Sequence, residues 1–513
     1  MRNRLLGAFA LCAAVFVANE AGAASAYQVF EVHNVTELTN ACIAANSNYN
    51  KILMHPGVYD LTGIKMGSNT HLTMKGLNSG LWAGLGEKPE DTIVKGSGPI
   101  DVCRIVSFDK ACTVSNLTFT GAYYDYKNCS GGVTGSGNAF FTDCVFSNNY
   151  AQNFGGALDG TKRLVRCKFI GNWSGSSAGV MRPWTSGRSV YEDCYFEGNH
   201  SPKGGVAYYG ATWLRCVFVG NYANNSGVTA AQGGYGNIFV DCAFTNNHVV
   251  EAASVFDSAT AATNCIFYGN YSGVYGQSGT TMIVECPSVY GCELTSNTGM
   301  QLVSSCMLRN CTMVGNLGHR INTNPVFSGC KMYNCLIAGT EGGKHSMAPI
   351  VAGSSLYNCT VVSNFHHTVN GYDQHGVVDG GVAVNTIFSG NMTPNGSAWK
   401  PWDFAKSGFP VMTNCIWSAM LGTAAKDASV DSQVLAFEGV RFADPANGDY
   451  TLQRKSPAHN AGYQDDAYLA TVGPVDLGKS PRVYEGDGPA KAIIDIGCYE
   501  CQLPAPGLMM LVR

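Results

Sequence analysis

Charge is scarce in this chain. Only 13% of its 513 residues are Asp, Glu, Lys or Arg, and the formal net charge is −4. No basic stripe exists to line a row of phosphates, so no nucleic-acid partner is expected. Long apolar runs are also missing, apart from Leu5 to Ala18, which is too short to span a bilayer. A lone C-x-x-C, Cys498 to Cys501, has no second half or histidine pair beside it, so neither a metal nor a cofactor is expected.

What is present begins with residues 1–26, which read as a secretory signal peptide. Arg2 and Arg4 precede the apolar run, and Ala21-Gly22-Ala23 or Ala24-Ser25-Ala26 supplies the small-residue cleavage site. Cys12 sits too early for a lipoprotein signal. Removing Arg2, Arg4 and Glu20 moves the net charge from −4 to −5. A secreted or bacterial cell-surface protein, monomeric and without a membrane span in its mature form, is the expectation.

The middle of the chain is repetitive. A seven-residue phrase typified by Asn264-Cys265-Ile266-Phe267-Tyr268-Gly269-Asn270 recurs thirteen times between Asn116 and Met420, about every 25 residues. Its second and fourth positions are apolar and the third varies freely, the alternation of a strand with one buried face. Five residues after the Cys register stands an Asn: Asn149, Asn172, Asn199, Asn221, Asn247, Asn270, Asn297, Asn316, Asn364 and Asn391. Asn tolerates unusual turn dihedrals, and its amide can bond to equivalent amides above and below, so the turns are expected to stack in register. A second strand follows the turn, as in Gly155-Gly156-Ala157-Leu158 and Gly204-Gly205-Val206-Ala207. Coiling such units gives an all-β, right-handed parallel β-helix of about 13 rungs, a rod roughly 58 Å long at about 4.8 Å per step. Leucine-rich repeats share the period, but their Leu spacing and any helix-compatible run are missing here.

Twenty cysteines remain after Cys12 is removed. Most share one register, and Cys286, Cys306 and Cys330 form a shorter second column, so they read mainly as packed thiols rather than bridges. Thr36 to Asn46 places Leu38, Ala41, Cys42 and Ala45 on one helical face, an expected N-terminal cap over the open first rung. The organisation expected is thus a signal peptide (1–26), a cap with the first rungs (27–110), the β-helix (111–425), a terminal module (426–503) and a short tail (504–513).

The pairing of F-x-x-N with G-G-A-(I/L/V), as in Phe146 to Asn149 and Gly155 to Leu158, resembles the repeats of chlamydial polymorphic outer-membrane proteins and of bacterial surface β-helices. That resemblance implies an adhesive role. Phe442 to Gly462, with Asp476 to Arg482 and Ile494 to Glu500, resembles the choice-of-anchor Q module that follows secreted β-helices. It implies a small C-terminal cap module and surface attachment, although six apolar residues from Gly507 to Val512 cannot span a membrane.

Aligning the rungs brings Asp159, Arg182 and Tyr208 into one column that would grip a sugar by charge-assisted bonds and stacking. The plain alternative is a self-neutralising Asp–Arg pair. Arg182-Pro183-Trp184 also spells a pectin-methylesterase motif, a chance match because only one of the two required Asp residues lines up. A second polar cluster holds His366, His367, Asp373, His375 and Asp379 and offers proton-shuttling groups or a solvated loop. These eight residues are the candidate glycan-binding set, and no catalytic residue is assigned. The expected function is an exported, non-catalytic binding or adhesion protein for extracellular or cell-surface glycans. The alternative is a polysaccharide lyase or glycoside hydrolase acting on an acidic polysaccharide.

Overall fold

The computed structural model describes residues 28–502 apart from 46–49, 75–79, 109, 136, 138, 184–188, 225–235, 251–258, 274–280, 284–285, 300, 319–323, 344–347, 368–375, 396–397, 405–409, 419–428, 431 and 484–491. Short parallel strands stack rung on rung into a β-solenoid with a 17-stranded sheet, a 16-stranded sheet and a 9-stranded sheet, here sheets A, B and C. One rung shows the path. Ala139–Thr142 lies in sheet A, Val145–Ser147 in sheet B and Tyr150–Ala151 in sheet C, after which Leu158–Thr161 closes a fourth side. Each strand pairs in register with its equivalent one rung on, as Phe146 does with Phe169. Sheet B begins before the first repeated phrase, with Gly57–Asp60 and Thr92–Lys95, and ends after the last, with Gln433–Val434.

The seven-residue phrase is a corner, a strand and a second corner. Its first residue is left-handed, as at Asp143 (φ 52°) and Arg166 (φ 51°), and so is its sixth, as at Asn148 (φ 51°) and Gly171 (φ 62°). The expectation that the recurrent Asn itself carries the unusual dihedral is corrected here. The turn strain sits one residue earlier, where Gly, Asn and Ser accept it most readily. The recurrent Asn is instead the buried brace. The Asn172 backbone N–H and Nδ2 both donate to Asn199 Oδ1 (2.9 and 3.0 Å), and Nδ2 also donates to the Phe146 carbonyl (2.9 Å). This pattern runs unbroken from Asn149 to Asn316, stops at Thr340, and resumes from Asn364 to Asn391.

Inside, register forces like onto like. Phe146, Phe169, Phe196, Phe218, Phe244 and Phe267 form a parallel stack with centroids 4.6 to 5.0 Å apart. The twenty described cysteines are free and buried. Each column thiol donates to the carbonyl two residues before it, as Cys242 does to Val240 (3.3 Å) and Cys311 to Arg309 (3.2 Å). The residue is therefore both a small apolar filler and a weak donor at a corner where sheet A gives way to sheet B.

At the N-terminal end, Val35–Ala44 is a helix whose Asn34 cap accepts from the Glu37 backbone N–H (3.0 Å). Its Leu38, Ala41 and Cys42 are buried, the face the periodicity indicates. At the other end, the last helix strands, Ser429–Val430 and Gln433–Val434, lie inside the segment the sequence assigned to the terminal module. The rest of that module lies along the flank of the rod. Phe442, Tyr450, Leu452 and Ile496 pack on the outward Leu336, Val362, Ile387 and Ile416 of sheet B. Tyr468, Val472 and Ile494 cover Tyr333 and neighbouring sheet A residues.

The docking contacts come from the first position of the phrase. Asn334 Nδ2 donates to the Val472 carbonyl (2.9 Å), Asn358 Nδ2 to the Asp495 carbonyl (2.9 Å) and Asn385 Nδ2 to the Tyr463 carbonyl (2.8 Å). Within the module, Arg482 is fully buried. It pairs with Glu500 (2.6 Å) and donates to Asn334 Oδ1 (2.6 Å). The residues resembling the anchor-module signature are thus its internal polar core. Among the described residues, no helix is long and apolar enough to cross a membrane.

Candidate functional site

Sheet C carries the feature that departs most from a plain scaffold. Its outward column is Tyr123, Tyr150, Trp173, His200, Tyr222, His248 and Tyr271, paired residue to residue across consecutive rungs. Six steps of about 4.8 Å make this aromatic track roughly 29 Å long. Its two halves differ. From Tyr150 to His200 the rings lie on one another, with Tyr150–Trp173 centroids 3.9 Å apart and Trp173–His200 planes 4° apart, so their faces are mutually covered. From Tyr222 to Tyr271 the rings meet edge to face instead, at 80° and 87°. Tyr222 and Tyr271 are exposed, and exposed Tyr268 stands beside them across the corner to sheet B. Desolvation lowers the imidazoles of His200 and His248, so both are neutral near pH 7 and the track is uncharged there.

The predicted Asp159–Arg182–Tyr208 column is assembled on the neighbouring fourth side. Arg182 forks onto Asp159 (Nε to Oδ1 2.6 Å, Nη2 to Oδ2 2.7 Å) and lies over the Phe154 ring, 4.7 Å from its centroid. Phe154 in turn packs on Tyr208 at 4.8 Å. Burial works to lower the guanidinium, but the bonds and charge of Asp159 outweigh it and raise it. Asp159 is buried, Arg182 is part-buried and each satisfies the other, so the pair is neutral as a unit. The same neutralisation holds elsewhere on the outer surface. Asp143 pairs with Arg166, Asp193 and Glu192 with Arg215, and Asp60 with Lys95.

No family model matches the chain, and no curated protein sequence matches it. Solved β-helix structures align along most of its length at low identity. The A-module of a mannuronan C-5 epimerase from Azotobacter vinelandii is 13% identical, with 78% of this chain and 94% of that chain covered and a TM-score of 0.25. A PL6 alginate lyase bound to a trisaccharide is 8% identical, covers 79% and 96%, and has a TM-score of 0.36. A PL6 family polysaccharide lyase from Pseudopedobacter saltans is 11% identical, covers 84% and 98%, and has a TM-score of 0.25.

The predicted histidine cluster is divided by the fold. His366 is buried, and His367 points outward, bonding to Glu341 and meeting Trp399 edge to face at 5.1 Å. Asp379 belongs to Val378–Asp379 in the strand set of the fourth side. Asp373 and His375 lie outside the described residues. Among the described residues no group of three or more His, Cys, Asp or Glu is placed to hold a metal.

Two letter matches to chemical motifs also resolve into structure. Gly175 to Gly179 spells G-x-S-x-G, but Ser177 is buried and bridges parallel to Phe154 and Lys203 on adjacent rungs, not on a strand-to-helix elbow. Gly473 to Ser480 spells G-x-x-x-x-G-K-S, yet it follows a helix instead of opening one. The Asp476 carboxylate within it accepts from the Ser480 N–H (2.6 Å), where a phosphate loop would hold an anion.

The sequence did carry a signal for the aromatic track. Each member from Tyr150 to Tyr271 directly follows a ladder Asn, one residue past the repeated phrase. Its identity changes between Tyr, Trp and His, so no repeated letter marks it.

Proposed function

We propose that the protein is an exported, non-catalytic β-helix that binds a glycan chain along the sheet C face. The observation carrying this reading is the outward track from Tyr123 to Tyr271, whose exposed Tyr222 and Tyr271 are flat apolar rings of the kind that stack on sugars. The pairing of surface carboxylates with cations on neighbouring rungs supports binding over catalysis, because a general base needs an uncommitted carboxylate. Export and surface attachment rest on the N-terminal segment and on the resemblance of the terminal module.

The test is affinity electrophoresis of the purified protein in gels containing a β-glucan, a galactomannan, alginate or pectate. Unsaturated products and reducing ends are followed in parallel. Retardation by at least one polymer without product is expected, and it should be lost in the Tyr222→Ala/His248→Ala/Tyr271→Ala variant. Turnover by the native protein, or retardation undiminished in the triple variant, overturns the reading.

A further inference from the structure

The aromatic track has a definite end. Beyond Tyr271 the same column continues rung by rung through Thr298, Leu317, Glu341, Phe365 and Met392. At Met392 the parallel pattern stops. Met392–Asn395 turns back on Ala398–Pro401 as an antiparallel hairpin, so the next position on the track is occupied by a projection of the chain itself.

The hairpin is held from below by buried groups. Asn391, the last of the ladder, donates through Nδ2 to Asp403 (2.7 Å), and Asp403 accepts from both the backbone N–H and the hydroxyl of Ser418 (2.7 and 2.8 Å). The Trp402 N–H donates to the Asn391 carbonyl (3.0 Å). What this anchored hairpin presents is Trp399, 43% exposed, standing edge to face with Phe365, itself 40% exposed, at 5.8 Å. Glu341, one rung before Phe365 in the column, is bonded to His367, whose ring packs on the same Trp399.

We infer that this corner is a chain-end subsite: a terminal pyranose stacks on Trp399 or Phe365 while the Glu341 carboxylate, held by His367, accepts hydrogen bonds from its hydroxyl groups. The inference rests on the glycan-binding reading and adds a direction and a stop to it. A chain lying along Tyr222 to Tyr271 reaches Phe365 after four further steps, about 19 Å. It cannot run past, because the hairpin fills the track. The two aromatic faces and the charge-assisted acceptor are the elements that fix a sugar ring in one pose, whereas an internal residue of a continuing chain would collide with the hairpin.

The experiment uses the polymer that retards the native protein, taken intact and after limited hydrolysis to shorter chains of the same total mass. Binding capacity per mass should rise in proportion to the number of chain ends. Trp399→Ala, at an exposed position, and Glu341→Gln, at a half-buried one, should each weaken binding about tenfold. Trp399→Phe should restore most of the Trp399→Ala loss, and an unchanged thermal midpoint in all three variants reports an intact fold. Capacity that follows mass and not chain ends, or affinity unmoved in Trp399→Ala and Glu341→Gln, overturns the subsite while leaving the track standing. Absence of binding to every polymer overturns the glycan reading and the subsite with it.

Discussion

Replacing Asn221 with alanine tests the claim that a buried amide ladder, and not turn preference, makes Asn recur. Asn221 lies fully buried in the middle of the longest run. Its Oδ1 accepts from the backbone N–H and the Nδ2 of Asn199 (3.0 and 2.9 Å), and its own Nδ2 donates to the Phe196 carbonyl and to Asn247 Oδ1 (2.9 and 3.1 Å). Alanine removes all four bonds. The Asn199 N–H is then left buried without an acceptor, Asn199 Nδ2 keeps only the Phe169 carbonyl, and the Phe196 carbonyl keeps its ladder partner on the next rung. At about 1–3 kcal/mol for each of the two donor hydrogens stranded on Asn199, the loss comes to roughly 2–6 kcal/mol. Repeat rods need not unfold in one step, so a single global midpoint is a poor readout. Amide hydrogen exchange resolves the loss by rung: protection should fall in residues 194–224 and their direct neighbours and stay native beyond Asn297. Asn221→Asp separates the two halves of the argument, since it keeps the acceptor and loses the donors. A loss under about 1 kcal/mol in Asn221→Ala, or equal loss along the whole rod, would refute the reasoning.

Other consequences follow from the core, the thiols and the docked module. Phe218→Ala removes one ring from a gap-free stack and should cost about 3–5 kcal/mol in local stability, read by the same exchange experiment. The cysteines are buried thiols, and burial pushes Cys415 up to about 12, so a thiol reagent should label few of the twenty in native protein and all of them in denaturant. Extensive native labelling, or missing thiols after denaturation without reductant, would contradict the packed-thiol arrangement. In the module, burial raises Asp476, Asp495 to about 6 and Glu500 to about 8, against the opposing pull of the buried Arg482 guanidinium. Acids raised on folding favour the folded state at low pH, and that stability is lost as the pH climbs through the raised values. Exchange in residues 460–500, corrected for its intrinsic pH dependence, should therefore quicken from pH 6 to pH 8 while residues 139–223 hold; a module equally protected at both would count against it.

The rod was legible because its determinants repeat. A spacing of about 25 residues, an apolar pair two apart and an Asn five beyond the Cys register are enough to place strand, core and corner. The Asn was read correctly as stacking and wrongly as the strained residue, since nothing in a sequence separates a side chain that braces a turn from a backbone that makes it. His366 and His367 were read together as one polar cluster, and the fold separates them because neighbouring side chains of an extended segment point to opposite faces. The aromatic track was missed for a different reason. Stacking on an open face requires only a flat ring, so Tyr150, Trp173 and His200 satisfy one requirement with three letters, and identity searches pass over them.

The first position of the phrase shows how one backbone requirement leaves room for local meaning. It is left-handed at Asp143, Arg166, Asp193, Arg215 and Asp241, and equally at Asn310, Asn334, Asn358, Asn385 and Asn414. The first group alternates in charge and faces solvent, where Arg166 closes on Asp143 and Arg215 on Asp193, an arrangement that keeps a strained column soluble. In the second group Asn334, Asn358, Asn385 and Asn414 face the module, and each donates its amide to a backbone carbonyl there. A charge there would be desolvated under Tyr468 and Val472, whereas an Asn amide both donates and accepts, as Asn385 does toward the Tyr463 carbonyl (2.8 Å) and N–H (2.7 Å). Asn264 already holds this position on the bare face, where its amide donates to Asp241, so it is the module-bonded amides from Asn334 to Asn414, and not the letter itself, that mark the covered flank.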